Sequence, residues 1–132
     1  MWCGVDIVAV ERVKKALIGD TGSRFKKKVF TPGEIDYCES KANNQASDKT
    51  KGIYQSYAAR FAAKEAFSKA IGKGIGAAVN IGEIEIKNDL LGKPRIEISG
   101  QTRNLFDDLG CKSIELSISH ETEYAVAFVM IY

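Results

Sequence analysis

The segment from Ile53 to Ile71 constrains the fold of this chain most, because it joins helical length to a high density of alanine. Gly72 follows it, at the place where a left-handed residue commonly ends a helix. At about 100° per residue, Ala58, Ala62 and Ala66 fall on one side, with Phe61 beside them. Methyl-sized side chains let another backbone come close, so this side is a packing surface for a second element. Glu65 projects into the same sector. A carboxylate in a contact face is either paired or used in chemistry. Lys69, four residues on, offers the pairing, worth about 0.3–0.5 kcal/mol if exposed. Arg60 and Lys64 form a basic pair on a neighbouring face, which is either a solvated rim or a set of phosphate-binding cations.

A second carboxylate is equally out of place. Val5 to Val10 reads as a buried strand, β-branched and apolar except for Asp6. A buried, unpaired carboxylate costs several kcal/mol, so Asp6 must find a cation or hydrogen-bond donors. It either sits near the strand end or at a helix N-terminus for structural reasons, or it is a metal ligand or catalytic group.

The remaining elements follow from local pattern. Glu11–Ile18 and Ser23–Val29 read as basic helices. Thr31-Pro32-Gly33-Glu34 opens a third, with Thr31 as cap, Pro32 in the first turn and Glu34 completing a capping box. Lys41 to Gly52 is polar and is expected to be a mobile surface loop. Glu83–Lys87 and Arg95–Ser99 alternate as half-buried strands joined by a hairpin over Asn88 to Pro94. Gln101–Leu109 is a short helix and Ser113–Ser119 a strand. Tyr124–Ile131 is almost continuously apolar, so it belongs at the centre of a sheet. One strand, then helices, then mostly strands, with no regular alternation, predicts an α+β fold with a largely antiparallel sheet packed against a long central helix. The 132 residues suit one domain, residues 1–132.

Charge and cysteine content narrow the function. The 19 basic residues against 17 acidic ones give a net charge of +2, which argues against a nucleic-acid-binding module. Cys3, Cys38 and Cys111 are odd in number and far apart, so neither a disulfide framework nor a zinc site is expected. Free thiols suit a reducing compartment. No signal peptide is read at the N-terminus and no apolar run reaches the ~20 residues of a membrane span, so a cytoplasmic protein with no membrane partner is expected.

Asp6 and Glu65 are hard oxygen donors of the kind magnesium takes, one or two at a time, with water and phosphate oxygens completing its shell. With Arg60, Lys64 and Lys69 near Glu65 in sequence, they suggest phosphoryl-group chemistry. His120, the single histidine, ends the strand Ser117-Ile118-Ser119-His120 and is either a hairpin residue or a ligand. A serine nucleophile in that cluster is rejected: there is no G-x-S-x-G turn, and neighbouring strand residues face opposite ways.

Three segments in this order, Gly4-Val5-Asp6-Ile7-Val8, Arg60-Phe61-Ala62-Ala63-Lys64-Glu65-Ala66 and Ser117-Ile118-Ser119-His120, resemble the holo-acyl-carrier-protein synthase family of phosphopantetheinyl transferases. The similarity spans essentially the whole chain, including Phe30-Thr31 and the Gly92-Lys93-Pro94 hairpin. It implies the fold of that family and transfer of 4′-phosphopantetheine from coenzyme A to a serine of an acyl carrier protein, in support of fatty acid biosynthesis. It places the Mg2+ ligands on Asp6 and Glu65, and catalysis on these two with Lys69. Either Glu65 or a metal-bound water would act as base. Lys69, Arg60 and His120 would face the coenzyme A phosphates, Lys93 would lie near the nucleotide, and Arg12 would meet the acidic carrier protein. Short members of the family are homotrimers with active sites between subunits. Two features depart from the pattern: few residues precede Gly4, and the Lys41–Gly52 loop is long.

Overall fold

The structure, a computed structural model, describes residues 1–42 and 50–132. Of the expected loop from Lys41 to Gly52, residues 43–49 lie outside the described residues, and its last two residues already belong to the long helix. The elements run β1 (Trp2–Ala9), α1 (Val10–Ile18), α2 (Gly22–Val29), α3 (Pro32–Glu39), α4 (Lys51–Ile71), β2 (Ile84–Asn88), β3 (Pro94–Ile98), α5 (Gly100–Asp108), β4 (Ile114–His120) and β5 (Tyr124–Ile131). Among the described residues, one 3-10 turn, Ile81–Glu83, leads into β2, an element that the local pattern does not signal. Among the described residues, no helix is long and apolar enough to cross a membrane.

The strands form two antiparallel sheets rather than one: a three-stranded sheet in the order β1-β5-β4 and the two-stranded β2-β3 hairpin. The most apolar strand, β5, is the central one. Despite the few residues before Gly4, β1 pairs along its whole length, from Trp2 opposite Ile131 to Ala9 opposite Tyr124.

Helix α4 lies across the three-stranded sheet, and small residues bring the two together. Ala58, Ala62, Ala63 and Ala66 are fully buried. Ala125, Ala127 and Val129 of β5 face them, also fully buried. Gly4 marks the closest approach. A Cβ there would overlap the Ala66 carbonyl and lie 2.5 Å from the Ala70 nitrogen, so only glycine fits. Gly72 ends α4 with φ of 75°, the left-handed cap its sequence position implied.

The other face of the sheet is uncovered. Val5 and Ile7, expected to be buried, are 55% and 64% exposed, and Tyr124 and Phe128 of β5 are 46% and 40% exposed. The reason is the period-two geometry of the strand: Gly4, Asp6 and Val8 turn toward α4, and the residues between them turn away. An unbroken apolar strand has two apolar faces, and one helix covers only one of them.

Candidate functional site

Alternation along β1 carries Asp6 to the α4 side, two residues beyond the contact at Gly4. There Lys69 Nζ donates to Asp6 Oδ1 at 2.8 Å and to the Val5 carbonyl at 3.2 Å. The Asp6 side chain is only 14% exposed, so this pairing answers the cost of placing it there. The Glu65–Lys69 helix pair suggested by spacing does not form; Lys69 reaches across to the strand instead. Glu65 is partly buried, and its surroundings show in its acidity. Burial, and next the negative charge of Asp6, push the Glu65 carboxyl above its ordinary value, while Lys69 and Arg12 pull the other way. Residues from β1, α1 and α4 therefore meet in one cluster of two carboxylates and two cations: Asp6, Arg12, Glu65 and Lys69.

This cluster suits a magnesium ion. Among the described residues, no three His, Cys, Asp or Glu side chains gather in one place. Magnesium does not need three, since water and phosphate oxygens fill its other positions. Glu65, held close to a second carboxylate in partly dry surroundings, is a group whose charge a divalent cation would stabilise.

The basic pair on α4 has a different fate from the solvated rim that spacing allowed. Both residues are buried. Lys64 is fully enclosed, and its Nζ donates to Glu34 Oε1 at 2.6 Å, to the Val29 carbonyl at 2.5 Å and to the Ile81 carbonyl at 3.3 Å. Glu34 is the capping-box residue of α3 as the sequence implied. Its Oε1 also accepts from the Thr31 nitrogen at 2.9 Å, and its Oε2 accepts from the Ile86 nitrogen at 2.9 Å. Lys64 is thus a structural cation that ties α4 to α3 and β2, and it is not available to a phosphate.

Arg60 is 5% exposed but faces a cleft. Its Nη2 donates to Asn88 Oδ1 at 2.7 Å and its Nη1 to Ser56 Oγ at 3.4 Å. Its Nε is buried without a hydrogen-bond partner among the described residues. The cleft, about 580 Å³, is also lined by Tyr37, Lys41, Lys51, Pro94 and His120. His120 thus joins Arg60, and both belong to one cation-lined space. Lys93 is set apart. Its Nζ lies 3.6 Å from Glu115 Oε2, and it lines a separate cavity of about 240 Å³. Its neighbour Pro94 and the hairpin residue Asn88 do reach the cleft.

The cleft and the carboxylate cluster lie on different sides of α4. Five residues separate Arg60 from Glu65, about 7.5 Å along the axis and roughly 140° around it. Sequence reading missed Tyr37, Asn88, Lys41 and Lys51 as site residues. Lys41 and Lys51 looked like loop lysines, and nothing local marks Tyr37 or Asn88, because their partner Arg60 is distant in sequence.

Known proteins resemble this chain in sequence and fold. The family model of the 4'-phosphopantetheinyl transferase superfamily matches residues 3–129. The holo-[acyl-carrier-protein] synthase of Ruminiclostridium cellulolyticum is 50% identical over 131 residues, 99% of this chain and 91% of that protein. That of Halothermothrix orenii is 42% identical over 127 residues, 96% of this chain and 93% of that protein. Among solved structures, the Helicobacter pylori holo-[acyl-carrier-protein] synthase in complex with coenzyme A superposes with a TM-score of 0.79 at 31% identity, covering 98% of this chain and 99% of that one. The Bacillus anthracis holo-(acyl-carrier-protein) synthase in complex with CoA (3',5'-ADP) gives a TM-score of 0.76 at 33% identity, covering 98% and 94%. With its fold, its three sequence segments and its relatives in agreement along nearly the whole chain, this protein belongs to the 4'-phosphopantetheinyl transferase superfamily, among the holo-[acyl-carrier-protein] synthases.

Proposed function

We propose that this enzyme moves 4′-phosphopantetheine from coenzyme A to a serine of an acyl carrier protein, with magnesium, and releases adenosine 3′,5′-bisphosphate. The observation that carries the reading is the meeting of Asp6, Glu65, Lys69 and Arg12 at the β1–α4 contact. The names of the relatives and the coenzyme A complexes among the structural neighbours support it.

In this reading the serine hydroxyl oxygen forms a bond to the phosphorus that carries the pantetheine arm. The bond from that phosphorus to the bridging oxygen breaks, and the bisphosphate leaves with the electron pair. The serine proton would pass to Glu65 or to a water that the metal would hold. Asp6 and Glu65 would hold a magnesium ion, which would supply neutralisation of charge on the leaving phosphate. Lys69, with a side chain 56% exposed, can turn from Asp6 to donate to the pyrophosphate oxygens. Arg60 and His120 hold a coenzyme phosphate that does not react, and Lys93 lies toward the nucleotide. Arg12 meets the acidic carrier protein, helped by the basic surface of α1 and α2, which includes Lys15, Arg24, Lys27 and Lys28.

The reading includes a homotrimer of the 1–132 unit, with each active site shared between two copies. Two features support this. The uncovered apolar face of β1 and β5 is a surface that a second copy can bury. The roughly 140° between Arg60 and Glu65 on one helix turns the phosphate cleft and the carboxylates apart within one copy. The product fits a cytoplasmic role in fatty acid biosynthesis, where the carrier works through the thiol it has gained.

The test is to follow the bisphosphate chromatographically. It should appear only when coenzyme A, apo carrier protein and magnesium are all present, and EDTA should stop it. Release without a carrier, or undiminished release in EDTA, would contradict the reading. Bound coenzyme A with no turnover on several carriers would make the chain a binding module.

A further inference from the structure

The cleft at Arg60 contains an arrangement that the transfer reaction does not explain. Tyr37, from α3, has a cation on its ring at two places: the Arg60 guanidinium carbon lies 3.9 Å from the ring centroid, and Lys41 Nζ lies 4.5 Å from it. All three residues line the same cleft as Lys51 and His120. At 3.9 Å the guanidinium is in close contact with the ring, which restricts its rotation. The Asn88 side-chain oxygen Oδ1 holds it from another side, accepting from Nη2 at 2.7 Å. Asn88 is itself fixed, donating from Nδ2 to the Gly92 carbonyl at 2.9 Å. The result is a guanidinium with a set orientation, almost wholly buried, whose Nε has no partner among the described residues.

A buried N–H left unpaired is costly unless a ligand completes it. A positively charged fork presented to a cavity is suited to a phosphate, which takes paired donors from one guanidinium. The aromatic ring serves both cations, attracting each to its π face. It holds them in the cleft when no anion is bound.

We infer that Tyr37 is a positioning residue for coenzyme recognition: its ring holds the Arg60 guanidinium and the Lys41 ammonium in the geometry that receives the coenzyme's phosphomonoester, the phosphate remote from the reacting pyrophosphate. This rests on the reading of the cleft given under the proposed function. The phosphomonoester is chosen because it is the coenzyme's terminal, doubly ionised phosphate, which matches two cations held side by side in one cleft. Tyr37 touches neither reacting atom, so it acts on coenzyme affinity and not on the transfer step. The tyrosine hydroxyl has no part in the argument; the ring face does.

The experiment compares coenzyme A with 3′-dephospho-coenzyme A as donors for the full-length enzyme, with wild type, Tyr37→Leu, Tyr37→Phe and Arg60→Ala. Tyr37→Leu should raise KM for coenzyme A about five- to tenfold. It should leave kcat within about twofold, because the ring is away from the transferred group. It should also leave KM for the dephospho donor near its wild-type value. Tyr37→Phe keeps the ring and should behave as wild type. A wild-type KM in Tyr37→Leu, an equal rise for both donors, or a Phe variant as impaired as the Leu variant would overturn the inference. Arg60→Ala separates the two levels of the account. If it weakens coenzyme A selectively while Tyr37→Leu does not, only the role of Tyr37 fails. If it does not distinguish the donors, the reading of the cleft fails and takes the inference with it.

Discussion

Asp6 and Glu65 show what one residue can and cannot announce. Each is anomalous in sequence, a carboxylate where packing calls for an apolar group, and each admits a structural explanation. The structure gives Asp6 a partner, Lys69, and leaves Glu65 partly buried with its carboxyl pushed up, first by burial and then by Asp6. A carboxyl whose folded-state value is raised contributes stability below its ordinary value near 4.5 and loses it as pH rises through the shifted value. At neutral pH without metal, Glu65 therefore weighs against the folded state. Glu65→Gln should unfold at the same temperature as wild type or higher in EDTA at neutral pH, while kcat falls about 100-fold or more. Thermal unfolding and turnover measured on one preparation check both halves. Near-wild-type turnover would remove Glu65 from the site, and clear destabilisation would mean that its charge serves the fold. Arg60 was the harder residue to read. Its spacing allowed an exposed rim, and its burial depends on Tyr37, Asn88 and Ser56, two of which lie on other elements.

At the scale of elements, most of the secondary structure is legible because its signals are local. The alanine-rich face of α4, the Thr31–Glu34 capping box and the apolar run of β5 each arise within a few residues, and each appears as expected. Element contacts are less legible, and Glu34 shows why. Its capping role depends on a residue three positions away. Its second role, as the partner of Lys64 at 2.6 Å, depends on a residue thirty positions away. The pair is fully buried and joins α3, α4 and β2. Breaking one side leaves an enclosed charge without its partner. Glu34→Gln should therefore lower the unfolding free energy by about 3–5 kcal/mol. A Glu34→Leu, Lys64→Met double variant should lose less than Glu34→Gln alone, because an apolar pair leaves no charge unsatisfied. Urea titration measures both. A loss below about 1 kcal/mol in Glu34→Gln would show that the pair does not clamp these elements.

At the scale of the molecule, the sequence pattern points to an α+β fold around one long helix, and the structure agrees while dividing the strands into two sheets. The exposed outer face of β1 and β5 was not legible. An unbroken apolar strand reads the same whether a helix or another subunit covers its second face. The proposed trimer turns this face into a prediction. Ile7→Glu places a charge in the middle of the face, on the side away from α4. It should shift the protein to monomers in analytical ultracentrifugation, leave the circular dichroism spectrum unchanged and reduce activity at least about tenfold, since a shared site needs its neighbour. An active monomer would show that one copy holds a complete site.

The central claim is a covalent transfer, and intact-mass spectrometry of the carrier reads it most directly. After incubation of an apo acyl carrier protein with this enzyme, coenzyme A and magnesium, the carrier should gain the mass of one phosphopantetheine group. The same carrier with its acceptor serine changed to alanine should gain nothing. An unmodified carrier in the first reaction, across several carriers and with coenzyme A demonstrably bound, would contradict the account.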